Sequence, residues 1–231
     1  MGSRLETYRV EAYNTAKVAR WGREFLERGL IEARFIKPVY DGEIAEVLAT
    51  ESDGGLALEV HSRGEICTTG AASLPAEPAQ VTLADYKDVG AVARRKPVGA
   101  ETFAEGSWLG TAARAWPGPA AATYLREIRE REPIYAESRL GHPGMLQRVM
   151  NRLLVDNVVL GPWIHVGSRM QLLSAFFEDD EITARAKVTA NYEKKGHRFV
   201  ELDALVIANG TTPLAHCHHV AIYQPREQAA A

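Results

Sequence analysis

In the stretch Glu181-Ile182-Thr183-Ala184-Arg185-Ala186-Lys187-Val188-Thr189-Ala190-Asn191-Tyr192, polar and apolar side chains alternate without a break. Because successive side chains of a β-strand point to opposite faces, this period of two predicts a strand with one buried face. Turn residues at 193–197 and at Asn209-Gly210 separate it from two further strand-like segments, 199–208 and 214–223. The C-terminal part of the chain is therefore predicted to form an antiparallel meander.

A helix is predicted ahead of this meander, because apolar residues there fall on one broad helical face. These residues are Met145, Leu146, Val149, Met150, Leu153 and Leu154. Pro143 suits the first helical turn, where its missing N–H would have no intrahelical partner. A helix with this much apolar surface can be wrapped by a sheet.

The first half of the chain repeats this organisation in a shorter form. An apolar run leads into Asp41 as another leads into Asp179, which gives an offset of 138 residues (179 − 41). Three strands are predicted at 43–50, 56–61 and 66–73. A shorter helix precedes them, with a stripe of Val18, Trp21, Phe25 and Leu26 that ends at Gly29, a typical residue just past a helix end.

The part between the two copies is less regular. Residues 75–97 are rich in Ala and Pro and predict a connector that crosses the surface. One or two strands are predicted within 101–116 and a helix at 120–130. The charged run 126–132 is interpreted as a solvated helix face.

The composition excludes several classes of protein. The 231 residues carry 27 Lys plus Arg against 30 Asp plus Glu, with a pI near 6.2, whereas nucleic-acid-binding domains usually have a clustered basic surface and a pI above about 9. The sequence has neither an apolar run of about 20 residues nor a signal-peptide core. Cys67 and Cys217 are isolated from each other, which is typical of a reducing compartment. We therefore predict a cytoplasmic protein without nucleic-acid or membrane partners.

A helix followed by an antiparallel meander, present twice, resembles the double hot-dog fold. Four stretches are similar to the MaoC-like acyl dehydratase and (R)-specific enoyl-CoA hydratase family, namely residues 34–42, 142–146, 157–168 and 195–203. The resemblance covers most of the chain and implies an α+β protein in which two antiparallel sheets, produced by internal duplication, each wrap a central helix. The predicted division is an N-terminal hot-dog at 1–75, a connector at 76–100, a C-terminal hot-dog at 101–226 and a frayed tail at 227–231.

The resemblance also implies a function. The family binds an acyl thioester, carried by coenzyme A or an acyl carrier protein, in a tunnel beside the central helix. Amides at the helix N-terminus can stabilise the enolate-like oxygen that develops when water adds to a 2-enoyl chain. A homodimer is expected, and no cofactor is expected beyond the coenzyme A of the substrate.

The chain departs from the family at its catalytic motif. Relatives carry an acidic residue followed by Asn and His, which share one water as general base and acid, but the sequence has no Asp/Glu-x-Asn-x-x-His. Relative to that pattern, a segment is missing between Lys17 and Val18. Either the protein has lost the segment and is a non-catalytic acyl-thioester or lipid binder, or the sequence is closed up over absent residues. A hot-dog thioesterase is a further alternative, with Asp156 and Asn157 as candidates for activating water.

Within this resemblance, two histidines are candidate catalytic residues. His142 lies where a helix begins and could hold a thioester carbonyl or a water, although a loop histidine there can simply cap the turn. His165 could line the acyl tunnel, although a strand histidine more often has a buried structural hydrogen bond. The candidate substrate-binding residues are Pro143, Gly144, Asn157, Trp163 and, for the phosphates of coenzyme A, Arg94 and Arg95.

Other chemistry-bearing residues have simpler interpretations. His216, His218 and His219 place two imidazoles on one strand face, but the sequence supplies no obvious third and fourth ligands, so no metal site is predicted. His219 is expected to be partly buried. Cys67 and Cys217 are interpreted as buried small apolar residues.

Overall fold

The computed structural model of the protein describes residues 17–52, 54–77 and 79–226. The predicted tail and the segment 12–16, which precedes the junction of Lys17 and Val18, lie outside the described residues. In the first half the strands are β1 (Leu30–Phe35), β2 (Glu46–Ser52), β3 (Gly55–Ser62) and β4 (Glu65–Ser73). In the second half the long strands are β9 (Ile164–Leu172), β10 (Glu181–Lys194), β11 (His197–Ala208) and β12 (Thr212–Gln224). Both predicted meanders are confirmed.

The two meanders join into one antiparallel sheet. Its order is β2-β3-β4-β1-β9-β12-β11-β10, followed by the short strand β6 (Trp108–Gly110), while β7 (Arg114–Ala115) also pairs with β10. The central pair is β1 with β9, so equivalent strands of the two copies meet at the middle of the sheet. The double hot-dog architecture follows from this arrangement.

The register of the central pair confirms the repeat. Leu30 pairs with Gln171, and Ala33 pairs with Ser168. Adding the offset of 138 residues to Leu30 gives Ser168, and subtracting it from Gln171 gives Ala33. The two pairs therefore exchange with each other under a pseudo-twofold axis.

The second central helix forms as predicted, over Pro143–Val155. In chain order it is α4, after α1 (Arg23–Arg28), α2 (Gly118–Glu127) and α3 (Ile134–Glu137). The predicted apolar face of α4 packs on the sheet, because Leu146, Met150, Leu153 and Leu154 are almost completely buried. They share one core cluster with Phe25 and Leu58 of the first half.

The first helix is interrupted. Residues 17–21 are helical, Gly22 follows in the left-handed region at φ +57°, and α1 then continues the chain to Arg28. Gly29 ends the helix as predicted and has extended backbone. A Cβ at Gly29 would lie 2.5 Å from the Phe25 ring, so the close approach of this ring requires glycine.

The middle of the chain clips onto the sheet. It contains a 3₁₀ turn (Leu83–Asp85) and β5 (Lys96–Pro97), which pairs in parallel with β8 (Val158–Val159). Tyr86 is buried, and its hydroxyl donates to Asp203 at 3.0 Å.

The charged run 126–132 is not one solvated helix face. Helix α2 ends at Glu127, and Arg129 turns the chain at φ +57°. Glu130 therefore points inward, with only 2% of its side chain exposed. The prediction is wrong for this residue because the helix stops before it.

No helix within the described ranges has the length and apolarity that crossing a membrane would require.

Candidate functional site

A cavity of about 820 Å³ runs along one face of the central helix α4. The helix contributes Met145, Leu146 and Val149 to its wall, and Trp116, Trp163 and Phe176 close it from other elements. These side chains give the cavity a largely apolar interior, so it can take a hydrocarbon chain.

The same cavity has a cationic wall. Arg114, Arg148 and Arg152 line it, and Glu127 is its one acidic lining residue among those described. Arg152 is paired with Asp156 at 2.5 Å, whereas the guanidinium of Arg148 lies 4.5 Å from the centroid of the Tyr124 ring. Arg148 and Arg152 are four residues apart on α4, where like charges repel each other modestly. An anionic group of a ligand would relieve that repulsion.

The predicted candidate His142 is the N-cap of α4. Its Nδ1 accepts a hydrogen bond from the Gly144 N–H at 3.0 Å. This bond fixes the neutral tautomer that carries its proton on Nε2. Nε2 lies 3.4 Å from Oε2 of Glu130, which is longer than an ordinary hydrogen bond, so we treat the pair as an electrostatic contact.

The surroundings of this pair decide its charges. Burial lowers the pKa of His142, and Lys17 and Arg148 lower it further against the opposing effect of Glu130. Burial raises the pKa of Glu130, but His142 and the backbone N–H groups of Glu132 and Arg131 outweigh it, and the net pKa is lowered. At neutral pH the pair is therefore a neutral imidazole beside a carboxylate.

Lys17 is a second buried cation near this end of the helix. It is 0% exposed, and burial lowers its pKa well below the ordinary value. The rings of Tyr124 and Tyr135 lie 5.6 Å and 4.8 Å from the His142 ring and cover it. His142 itself does not line the cavity.

The second predicted candidate, His165, belongs to a polar cluster between α4 and the sheet. Its Nε2 lies 2.8 Å from the Ser168 hydroxyl, which donates to Oε1 of Gln147 at 3.2 Å. Nε2 of Gln147 lies 3.2 Å from Nδ1 of His219, and the two histidine rings stack at 4.3 Å. We call His165, Ser168, Gln147 and His219 the polar cluster.

His219 is the most deeply buried member of the polar cluster. It is 0% exposed rather than partly buried, and burial lowers its pKa to about 3. Its Nε2 has no hydrogen-bond partner in the described part of the chain. Ser168 is only partly buried, so the cluster reaches toward the surface at that residue.

The other histidines of β12 lie on the opposite face of the sheet. His216 pairs with Asp203 at 2.6 Å, and His218 pairs with Glu201 at 3.0 Å. Within the described ranges, no group of three or more His, Cys, Asp or Glu residues has the geometry to hold a metal ion. These pairs therefore act as polar contacts of the sheet surface.

The remaining predicted residues lie around α4. Asn157 is buried and donates to the carbonyls of Gly110 and Leu153 at 2.9 Å and 2.8 Å, so its amide clamps the end of the helix. Pro143 and Gly144 form its buried first turn, and Trp163 lines the cavity.

The two predicted phosphate contacts are on the connector. Arg94 is exposed, and Arg95 donates to the carbonyl of Val155 at 2.8 Å near the cavity. Both cysteines are buried and free, and burial raises the pKa of Cys217.

Sequence reasoning missed several residues of the site. Gln147 and Ser168 have side chains too common to signal a function, and Glu130 lies in a run of charges. The spacing of Arg148 and Arg152 on a predicted helix did contain a usable signal, because two like charges at i and i+4 are unfavourable without a counterion.

Fold and site together define a double hot-dog protein of the α+β class. No protein-family model matches the sequence, and no curated protein matches it. The structure is similar to that of a MaoC domain protein of Chloroflexus aurantiacus J-10-fl that is named as a dehydratase, at 10% identity and TM-score 0.61 over 96% of this chain and 82% of that one.

Two mycobacterial structures are also similar. One is a Mycobacterium tuberculosis protein described as having a double hotdog fold, at 14% identity and TM-score 0.56 over 94% of this chain and 80% of that one. The other is acyl-CoA thioesterase II TesB2 of Mycobacterium marinum, at 10% identity and TM-score 0.52 over 97% of this chain and 90% of that one. At these identities the likenesses establish the fold.

Proposed function

We propose that the protein is a MaoC-like hydratase or dehydratase that acts on 2-enoyl or 3-hydroxyacyl thioesters. The observation that carries the proposal is the cavity along α4, which combines an apolar interior with Arg114, Arg148 and Arg152. A fatty acyl chain fits the apolar part, and the phosphates of coenzyme A or an acyl carrier fit the guanidinium groups. Arg94 and Arg95 extend the proposed phosphate contacts onto the connector.

Hydration of a 2-enoyl thioester needs a group that takes a proton from water and a group that supplies one to the carbon next to the carbonyl. Glu130 and His142 are a carboxylate and an imidazole held together at the N-terminus of α4. We therefore propose them as the acid/base pair in place of the missing family motif. Their side chains are 2% and 0% exposed, so the proposal requires the covering rings of Tyr124 and Tyr135 to move.

A thioesterase is the second candidate, and the polar cluster is the observation that favours it. Ser168, Gln147 and His165 form a chain of hydrogen bonds that could hold and activate one water. In that case His165 is the catalytic residue, and the product is a free acid and a thiol.

The experiment measures both reactions on crotonyl-CoA with the full chain. Loss of the enoyl absorbance reports hydration, and release of free thiol reports hydrolysis. The variants are Glu130→Gln and Ser168→Ala, and Arg169→Gln serves as a control because that residue pairs with Glu32 on the exposed sheet face.

Three outcomes decide between the candidates. Hydration that falls at least about a hundredfold in Glu130→Gln, with unchanged crotonyl-CoA binding, supports the hydratase. Thiol release that depends on Ser168 supports the thioesterase. Binding without either reaction refutes both enzymes and leaves an acyl-thioester-binding protein.

The proposal includes a cytoplasmic homodimer. Two buried free cysteines are typical of a reducing compartment. Multi-angle light scattering tests the assembly, and a mass equal to one chain of 25.4 kDa would contradict the dimer.

A further inference from the structure

Two polar atoms of the cavity-lining residues are buried without a hydrogen-bond partner among the described residues. They are Nε1 of Trp116, a residue that is 9% exposed, and Oδ1 of Asn151. Trp116 lies just before α2, and Asn151 lies in α4, so they come from two different elements. An unpaired buried polar atom is unfavourable, and such atoms are rare in folded proteins.

The two atoms are chemically opposite, because the indole nitrogen only donates and the carboxamide oxygen only accepts. A ligand that satisfies both must therefore accept and donate. A thioester carbonyl or a phosphate oxygen accepts only, and would leave Asn151 unpaired. A secondary amide has one acceptor and one donor, and in its trans form they point to opposite sides of the chain.

We infer that Trp116 and Asn151 bind a secondary amide of the thioester carrier, with the Trp116 N–H donating to its carbonyl and the Asn151 oxygen accepting from its N–H. This inference rests on the proposed function, since the pantetheine arm shared by coenzyme A and acyl carrier proteins contains secondary amides. The two residues are then specificity-determining: they select carrier-bound acyl groups over free acyl chains of the same length.

The test compares two probes by isothermal titration calorimetry on the full chain. Hexanoyl-N-acetylcysteamine has one secondary amide, and S-ethyl hexanethioate has the same thioester without an amide. The variants are Trp116→Phe and Asn151→Leu, each of which removes one hydrogen-bonding atom. Trp108→Phe is the matched control, because Trp108 packs on Tyr86 outside the cavity.

The wild-type chain should bind the amide probe about tenfold more tightly than the amide-free probe. Trp116→Phe and Asn151→Leu should each remove most of that difference and leave the affinity for the amide-free probe within about twofold. Retained binding of the amide-free probe also shows that each variant is folded.

Equal affinity of the wild-type chain for both probes, or a preference that survives in both variants, would overturn the inference and leave the proposed function standing. A Trp116-dependent preference for S-ethyl 3-hydroxyhexanethioate over the amide probe would also overturn it, since the pair would then recognise the acyl hydroxyl. If neither probe nor crotonyl-CoA binds, the proposed function itself fails.

Discussion

His142 and Glu130 lie 3.4 Å apart, Nε2 to Oε2, in a pocket that excludes solvent from both side chains. The contact joins the segment after α2 to the first turn of the central helix. The imidazole thus has two separate tasks, because one nitrogen caps α4 and the other faces a buried carboxylate.

His142→Ala should destabilise the fold by about 3 kcal/mol, since it removes a helix cap and leaves a buried carboxylate without its partner. Urea denaturation followed by circular dichroism measures the change. The double variant His142→Ala with Glu130→Gln should recover part of the loss, because the stranded charge is gone. A single variant as stable as the wild type would show that the pair contributes nothing to folding.

Acid should destabilise the protein through its buried histidines. Burial lowers the folded-state pKa of His219 from 6.5 to about 3, so below pH 6.5 the unfolded chain binds a proton that the folded chain refuses. Stability should fall by about 1.4 kcal/mol per pH unit for each such histidine as the pH drops from 6.5 toward 3. His142, whose pKa is also lowered by burial, adds to the effect in the same direction.

Urea titrations of the wild type and His219→Gln at several pH values between about 4.5 and 8 test this dependence. The variant should lose about one proton from the slope below pH 6.5 and match the wild-type slope above it. Identical slopes in the acid range would show that His219 titrates normally.

Gly141 should not tolerate a side chain. A Cβ there would lie 2.0 Å from the ring of Phe176, which lines the cavity. Gly141→Ala should therefore cost about 2 kcal/mol of stability and weaken acyl-thioester binding as the ring is displaced. Gly161→Ala is the matched control, because nothing lies within 4 Å of its added Cβ.

Thermal denaturation and crotonyl-CoA titration of the two glycine variants supply the comparison. If both variants melt together with the wild type, the close packing of Phe176 on Gly141 is not present in solution.

Binding of crotonyl-CoA should weaken with salt, because the cationic wall of the cavity attracts its phosphates. Arg148→Gln should weaken binding about fivefold at low salt and flatten the salt dependence, since this guanidinium has no salt bridge with the described residues. Arg169→Gln, on the exposed sheet face, should leave both unchanged. A salt dependence equal in Arg148→Gln and the wild type would place the phosphates elsewhere.

Cys217 should not react with iodoacetamide in the native protein, because burial raises the pKa of its thiol and the reactive thiolate does not form. Mass spectrometry should show modification of both cysteines only in urea. Rapid native labelling of Cys217 would contradict its burial between the helix and the sheet.

The sequence alone determined the local elements and the duplication. Strict alternation at 181–192 required a strand with one buried face, and the apolar face at 145–154 required a packed helix. Such periodicity is a property of neighbouring residues, so no knowledge of distant contacts was needed. The offset of 138 residues even anticipated the register of β1 with β9.

Only the tertiary structure decided the site. Gln147 and His219 are 72 positions apart and meet because α4 packs across β12. Glu130 turns inward because α2 ends before it, although its neighbours in sequence are solvated charges. The cavity, its unpaired Trp116 and Asn151 atoms and the buried carboxylate all arise from packing between distant segments, and burial and desolvation are properties that a linear pattern does not carry.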